Sequence, residues 1–140
     1  MYVDKKRLKQ YRALAREEPK IRKDIDRLYE RLEDVPVVLG KVSKSGDEFP
    51  YIQGHMTVEM AEPKVETEIK KQIRIKEARL EQVERERTEI EQFIADIPDS
   101  TDRQIFEMLF IRGKRQQDIA EEVGYSQGRI SQIIRKNLKD

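Results

Sequence analysis

The chain of 140 residues contains no cysteine and a single histidine, His55. Disulfides and thiolate metal sites are thereby excluded, and a lone histidine without a second imidazole nearby is expected to be structural rather than a metal ligand. No glycine-rich phosphate loop is present. The stretch Gly124-Tyr125-Ser126-Gln127-Gly128 has the outline of a nucleophile elbow. That elbow requires a strand before the serine and a histidine partner, whereas this serine follows a helical pattern and His55 lies in an unrelated segment. An enzyme is therefore not expected, and no cofactor is implied. The N-terminus, MYVDKKRLKQYRALAREEPK, lacks the apolar run of a signal peptide, and no stretch is long enough to cross a bilayer. The expectation is a cytoplasmic protein with no membrane partner.

What is abundant is charge. Charged residues make up 41% of the chain and hydrophobic ones 36%, a balance suited to long solvated helices with a thin apolar seam. The net charge is only +1, so any nucleic-acid contact must come from a local basic face. From Asp4 to Asp34, Leu8, Tyr11, Leu14, Ile21, Ile25, Leu28, Leu32 and Val35 keep helical spacing on one face. Pro19 interrupts that run, and a break or kink is expected there, because an interior proline costs about 3 kcal/mol. From Asp4 to Arg16, Lys5, Lys6, Arg7, Lys9, Arg12 and Arg16 stand against the single acid Asp4, with Glu17 and Glu18 following before the proline. This cluster suits DNA phosphates, an acidic partner, or simple solvation.

Between Val35 and Pro63 the composition changes. Pro36, Gly40, Gly46, Pro50, Gly54 and Pro63 preclude a continuous helix, yet Val37-Val38-Leu39, Phe49, Tyr51, Ile52 and Val58 are too apolar for a linker. A β-hairpin turning at Ser43 to Asp47 is expected, with Phe49-Pro50-Tyr51 as a minor candidate for partner binding. From Pro63 to Ile97, apolar residues recur at alternating four and three: Ile69, Ile73, Leu80, Val83, Ile90, Ile94 and Ile97, with Lys76 and Arg87 in the same seam. That is a coiled-coil pattern in a helix roughly 50 Å long. It pairs economically with the first helix as an antiparallel hairpin. The seam could close within one chain or between two, so a homo-oligomer is possible through the coiled coil.

Pro98 ends that helix, and Asp99-Ser100-Thr101 offers capping oxygens, with Gln104 placed for a capping box on Thr101. Ile105, Phe106, Met108, Leu109 and Phe110 form an apolar face that Gly113 terminates. Next, Gln116 to Arg135 has the order a helix-turn-helix needs: Ile119, Ala120 and Val123, then Gly124 for the turn and Ser126 as cap, then Ile130 and Ile133. The second helix carries Gln127, Gly128, Arg129, Ser131, Gln132, Arg135 and Lys136, and no acidic residue falls between Ser126 and Lys139. In a major groove, Gln127 suits adenine and Arg129 guanine, while Ser126, Ser131, Gln132, Arg135 and Lys136 add bases or phosphates. Gly128 lets the backbone come close to DNA. Lys114, Arg115, Gln116 and Gln117 precede or open the positioning helix, where phosphate contacts are expected.

The run from Ile97-Pro98 through Phe110-Ile111-Arg112-Gly113, Gln117-Asp118-Ile119-Ala120 and Gly124-Tyr125-Ser126 resembles the promoter-reading C-terminal domain of sigma factors. With the preceding helical region and Gly46-Asp47-Glu48-Phe49-Pro50-Tyr51, the chain is similar to the small sigma-like regulators of Gram-positive prophages, the RinA and ArpU type. The resemblance implies a regulator that activates late phage genes on double-stranded DNA, with RNA polymerase as a further partner. Modules for melting a promoter are lacking, which points to an accessory regulator. The expected fold is all-α: residues 1–97 as a coiled-coil helical hairpin with an irregular or β-hairpin insertion at 35–62, and residues 98–140 as a three-helix DNA-binding domain. Two further readings are a polymerase-docking adaptor and the DNA-recognising small subunit of a phage packaging terminase.

Overall fold

The computed structural model describes residues 2–35, 37–41, 57–61 and 63–138. Helix α1 spans Lys5–Glu33 and α2 spans Pro63–Ala95. Between them β1 (Val37–Lys41) pairs antiparallel with β2 (Thr57–Ala61), with Val37 opposite Ala61 and Lys41 opposite Thr57. The expected antiparallel strand pairing is present between β1 and β2. The turn expected at Ser43 to Asp47, together with Phe49-Pro50-Tyr51 and His55, lies outside the described residues. No helix of the described residues is long and apolar enough to cross a membrane.

The break expected at Pro19 is absent. The helix runs unbroken through Pro19, which is exposed on its outer side. Leu14 before the proline and Ile21 after it are both buried. Keeping both in the seam, at about 1.5–3 kcal/mol for each buried side chain, offsets the roughly 3 kcal/mol that an interior proline costs.

The chain divides into two compact units. One comprises residues 22–78 and the other residues 1–21 with 79–140. In the first, Leu28, Val35, Ile69 and Ile73 form a buried cluster, with Leu32 and Val65 packed against it. Lys76, placed in the seam by its spacing, is half-buried and reaches Asp24 at 3.0 Å. The cation thus finds a carboxylate on the facing helix.

In the second unit Leu8, Tyr11 and Leu14 of α1 and Val83, Ile90 and Ile94 of α2 are buried. Across this unit Arg7 of α1 pairs with Glu89 of α2 and Glu18 with Arg87, so the two helices pair within a single chain. The other seam cation, Arg87, donates to Glu18 at 2.6 Å and to the Tyr11 hydroxyl at 3.1 Å, with its guanidinium 5.3 Å from the Tyr11 ring centroid. Tyr11 in turn donates to Glu91. Burial first, and then the Glu91 hydrogen bond, push the Tyr11 phenol above its ordinary value, so it stays a neutral donor at physiological pH.

Arg87 Nε is buried without a hydrogen-bond partner, which makes this cation dependent on Glu18. Glu18→Ala is expected to destabilise the protein by about 2 kcal/mol, the usual scale for losing a hydrogen bond to a charged group. The paired change Glu18→Leu with Arg87→Met is expected to recover most of that loss, because two apolar side chains replace a costly half-buried ion pair. Denaturant unfolding of the three proteins checks both statements.

Candidate nucleic-acid interface

Beyond Ile97 the chain folds into α3 (Ser100–Phe106), a π-helical turn (Glu107–Ile111), α4 (Gln116–Val123) and α5 (Gln127–Leu138). Asp99 caps α3, accepting from the Asp102 amide at 3.0 Å. The expected box on Thr101 does not form, and Gln104 donates instead to Ser100 Oγ at 3.2 Å. Aspartate at the cap adds a full negative charge at the positive end of the helix, which threonine could not supply.

The π-helical turn was not foreseen from spacing. Ile105, Phe106, Met108 and Phe110 are all buried, and a 3.6-residue period would spread them over more than half of the helix circumference. A wider turn draws them to one side. It is closed by the Arg112 amide donating to the Glu107 carbonyl and the Lys114 amide to the Met108 carbonyl, at 3.0 and 2.9 Å. The Phe106 ring lies 6.3 Å from Phe93 of α2 and 5.5 Å from Phe110, and Arg103 donates to the Ile97 carbonyl at 2.7 Å. These contacts seat the three-helix bundle on the end of α2.

The helix-turn-helix follows from three residues. Ala120 is buried where the helices cross, and Gly124 ends α4 in the left-handed region at φ 77°. Ser126 Oγ accepts from the Arg129 amide at 3.0 Å and opens α5. Along α5, Ile130, Ile133 and Ile134 are buried. Helical geometry then turns Gly128, Gln132 and Arg135 directly away from the core, and all three are exposed.

The other site residues divide by what holds them. Gln117, Gln127 and Arg129 are exposed, with the Arg129 guanidinium 5.6 Å from the Tyr125 ring centroid. Tyr125 thus supports a cation of α5, a role its place in the turn did not announce. Ser131, expected to face outward, is half-buried and donates to Gln116 Oε1 at 3.4 Å, fastening α5 to α4. Lys136, also expected to face outward, is exposed but lies 3.3 Å from the carboxylate of Asp102, which is itself buried and accepts from Asn137 Nδ2 at 3.0 Å. Lys114 pairs with Glu122 near the end of α4 at 2.9 Å, and Arg115 with Asp118 in its first turn at 3.2 Å. Arg115 occupies the cap position of α4 without a side-chain bond to it, so amides at this end are open to an outside acceptor.

Two measurements test this geometry. Gly124→Ala meets nothing within 4 Å, so its expected cost, about 1–2 kcal/mol, is that of a side chain in the left-handed region alone. Thermal unfolding that left Gly124→Ala at wild-type stability would contradict the turn. The second concerns Asp99, whose carboxyl is held below its ordinary value of 3.8, chiefly by the Asp102 amide. A depressed carboxylate pKa contributes stability above the unfolded value and loses it as pH falls through the folded one. Asp99→Asn keeps an accepting oxygen, so below pH 3.8 its stability is expected to fall less steeply than that of the wild type in acid titrations.

No curated protein and no solved structure matches the chain. Residues 99–140 match the family described as Sigma-70, region 4, and the bundle of α3, α4 and α5 is accordingly a helix-turn-helix domain of that type.

Proposed function

We propose that this protein is a sequence-specific regulator of transcription that binds double-stranded DNA with α5 in the major groove. The observation that carries the reading is the one-sided burial of α5 within a sigma-type domain. Its isoleucine stripe is sealed, while Gln127, Gly128, Arg129, Gln132 and Arg135 face solvent together. Gln127 and Arg129 lie in the first turn, where a reading helix meets base edges, with Gln suited to adenine and Arg to guanine. The Tyr125 ring beneath Arg129 reduces the freedom that this side chain loses on binding. The start of α4, with Lys114, Arg115 and Gln117, serves phosphates and sets the register. The resemblance of the sequence to small prophage regulators extends this proposal to activation of late phage genes, with RNA polymerase as the second partner.

A titration tests the proposal. Binding is expected to fall steeply with salt and to favour one duplex over mixed-sequence DNA by a large factor. Equal affinity for all duplexes would favour an adaptor that docks on polymerase, and ring-sized oligomers would favour a packaging subunit. Arg129→Ala is expected to cost about 1–3 kcal/mol on the preferred site and to relax one base preference. Equal loss on mixed-sequence DNA would reassign Arg129 to a phosphate.

Gly128 supplies a complementary test. A Cβ there would meet only Ser126 Oγ, at 3.8 Å, so the fold does not require glycine. Gly128→Ala is expected to stabilise the protein by up to about 1 kcal/mol while weakening binding to the preferred duplex. A gain in both stability and affinity would contradict close backbone approach at this position.

A further inference from the structure

We infer that the first four turns of α1 form a second DNA-binding surface, a phosphate-contacting stripe that continues the helix-turn-helix interface beyond the sigma-type domain. Lys5, Lys9, Arg12 and Arg16 follow one another at intervals of four, three and four, which places them on one face of α1. All four are exposed, and among the described residues none forms an ion pair. Their neighbour Arg7, on another face, is by contrast tied to Glu89 at 2.6 Å. The stripe spans roughly 16 Å of helix, against one phosphate charge per about 1.7 Å of duplex axis.

Contacts join this stripe to α5. The Arg12 guanidinium lies so close over Gly113 that a Cβ at that glycine would fall 2.2 Å from Arg12 Nη1. The absence of a side chain at Gly113, together with its φ of 73°, lets α1 approach the turn that leads into α4. A groove of about 340 Å³ runs along this approach, with Lys5, Lys9 and Arg12 on one wall and Gly113, Lys114 and Gln116 on the other, and no carboxylate among its lining residues. Gln116 then accepts from Ser131 of α5. A continuous basic and polar track therefore passes from α1 across the open amide end of α4 to the flank of the reading helix. Extended, and basic along its α1 wall, it fits the backbone of a duplex flanking the bases that α5 reads.

The inference rests on the DNA-binding reading above, and the test keeps the two apart. Affinity of the full chain for a mixed-sequence duplex is measured across a range of salt for the wild type and two triple variants. Lys5→Gln/Lys9→Gln/Arg16→Gln empties the stripe and leaves Arg12 on Gly113. Lys64→Gln/Lys71→Gln/Arg74→Gln removes the same charge from exposed positions on α2. The first is expected to lower the slope of log K against log salt by roughly 0.9 for each phosphate no longer neutralised, and the second to leave it unchanged. An unchanged slope in the first variant, or an equal fall in both, would overturn the stripe while leaving DNA binding by α5 intact. A wild type without salt-dependent duplex binding would overturn both. Matched thermal unfolding of the variants establishes that a shallower slope does not reflect an unfolded chain.

Discussion

The organisation of the C-terminal bundle depends on one constraint: α5 fully buries a single stripe, Ile130, Ile133 and Ile134. Each of those side chains contributes about 1.5–3 kcal/mol when removed from water, which is enough to fix the rotation of a twelve-residue helix about its axis. Once rotation is fixed, the identity of the outward residues decides what α5 can touch. α3 and α4 both pack on α5, and the lesser polar contacts, Ser131 to Gln116 and Asn137 to Asp102, hold the two ends of the helix at the same setting. Stability and recognition therefore occupy opposite sides of one element.

The bundle also leans on the helical pair. Phe106 sits between Phe93 and Phe110, and Arg103 reaches back to the Ile97 carbonyl. Arg12 over Gly113 brings α1 to the same turn. The half-buried Arg87, held by Glu18 and Tyr11, shows how the seam tolerates a cation: its charge is matched on the facing helix and its stem contributes apolar cover. These contacts make the N-terminal turns of α1 neighbours of the helix-turn-helix, although about a hundred residues separate them in the chain.

Local chemistry explains which features were legible in advance. Ala120, Gly124 and Ser126 each answer a requirement of the helix-turn-helix that few other residues meet, so the motif and its boundaries could be read directly. The seams of α1 and α2 were equally plain, because heptad spacing records burial. What escaped reading was decided by contacts distant in sequence. Pro19 suggests a break only if the apolar residues on either side of it are ignored. The π-helical turn arises from packing four neighbouring apolar side chains inward at once, and Asp102 acquires its role from Lys136 and Asn137 more than thirty residues later. At the candidate interface, the exposure of Gln127, Gly128, Arg129, Gln132 and Arg135 was legible in advance, but Ser131 and Lys136 prove to be partly engaged in holding α5 in place.

The central claim is that the solvent face of α5 distinguishes one base sequence from another. Selection of bound duplexes from a random pool by the purified full chain tests it most directly. The expected result is a recurrent short motif that changes at one position when Gln132 or Arg129 is replaced. A pool that stays random after repeated rounds, with the protein folded and retained DNA released by salt, would contradict base reading and leave only electrostatic attachment.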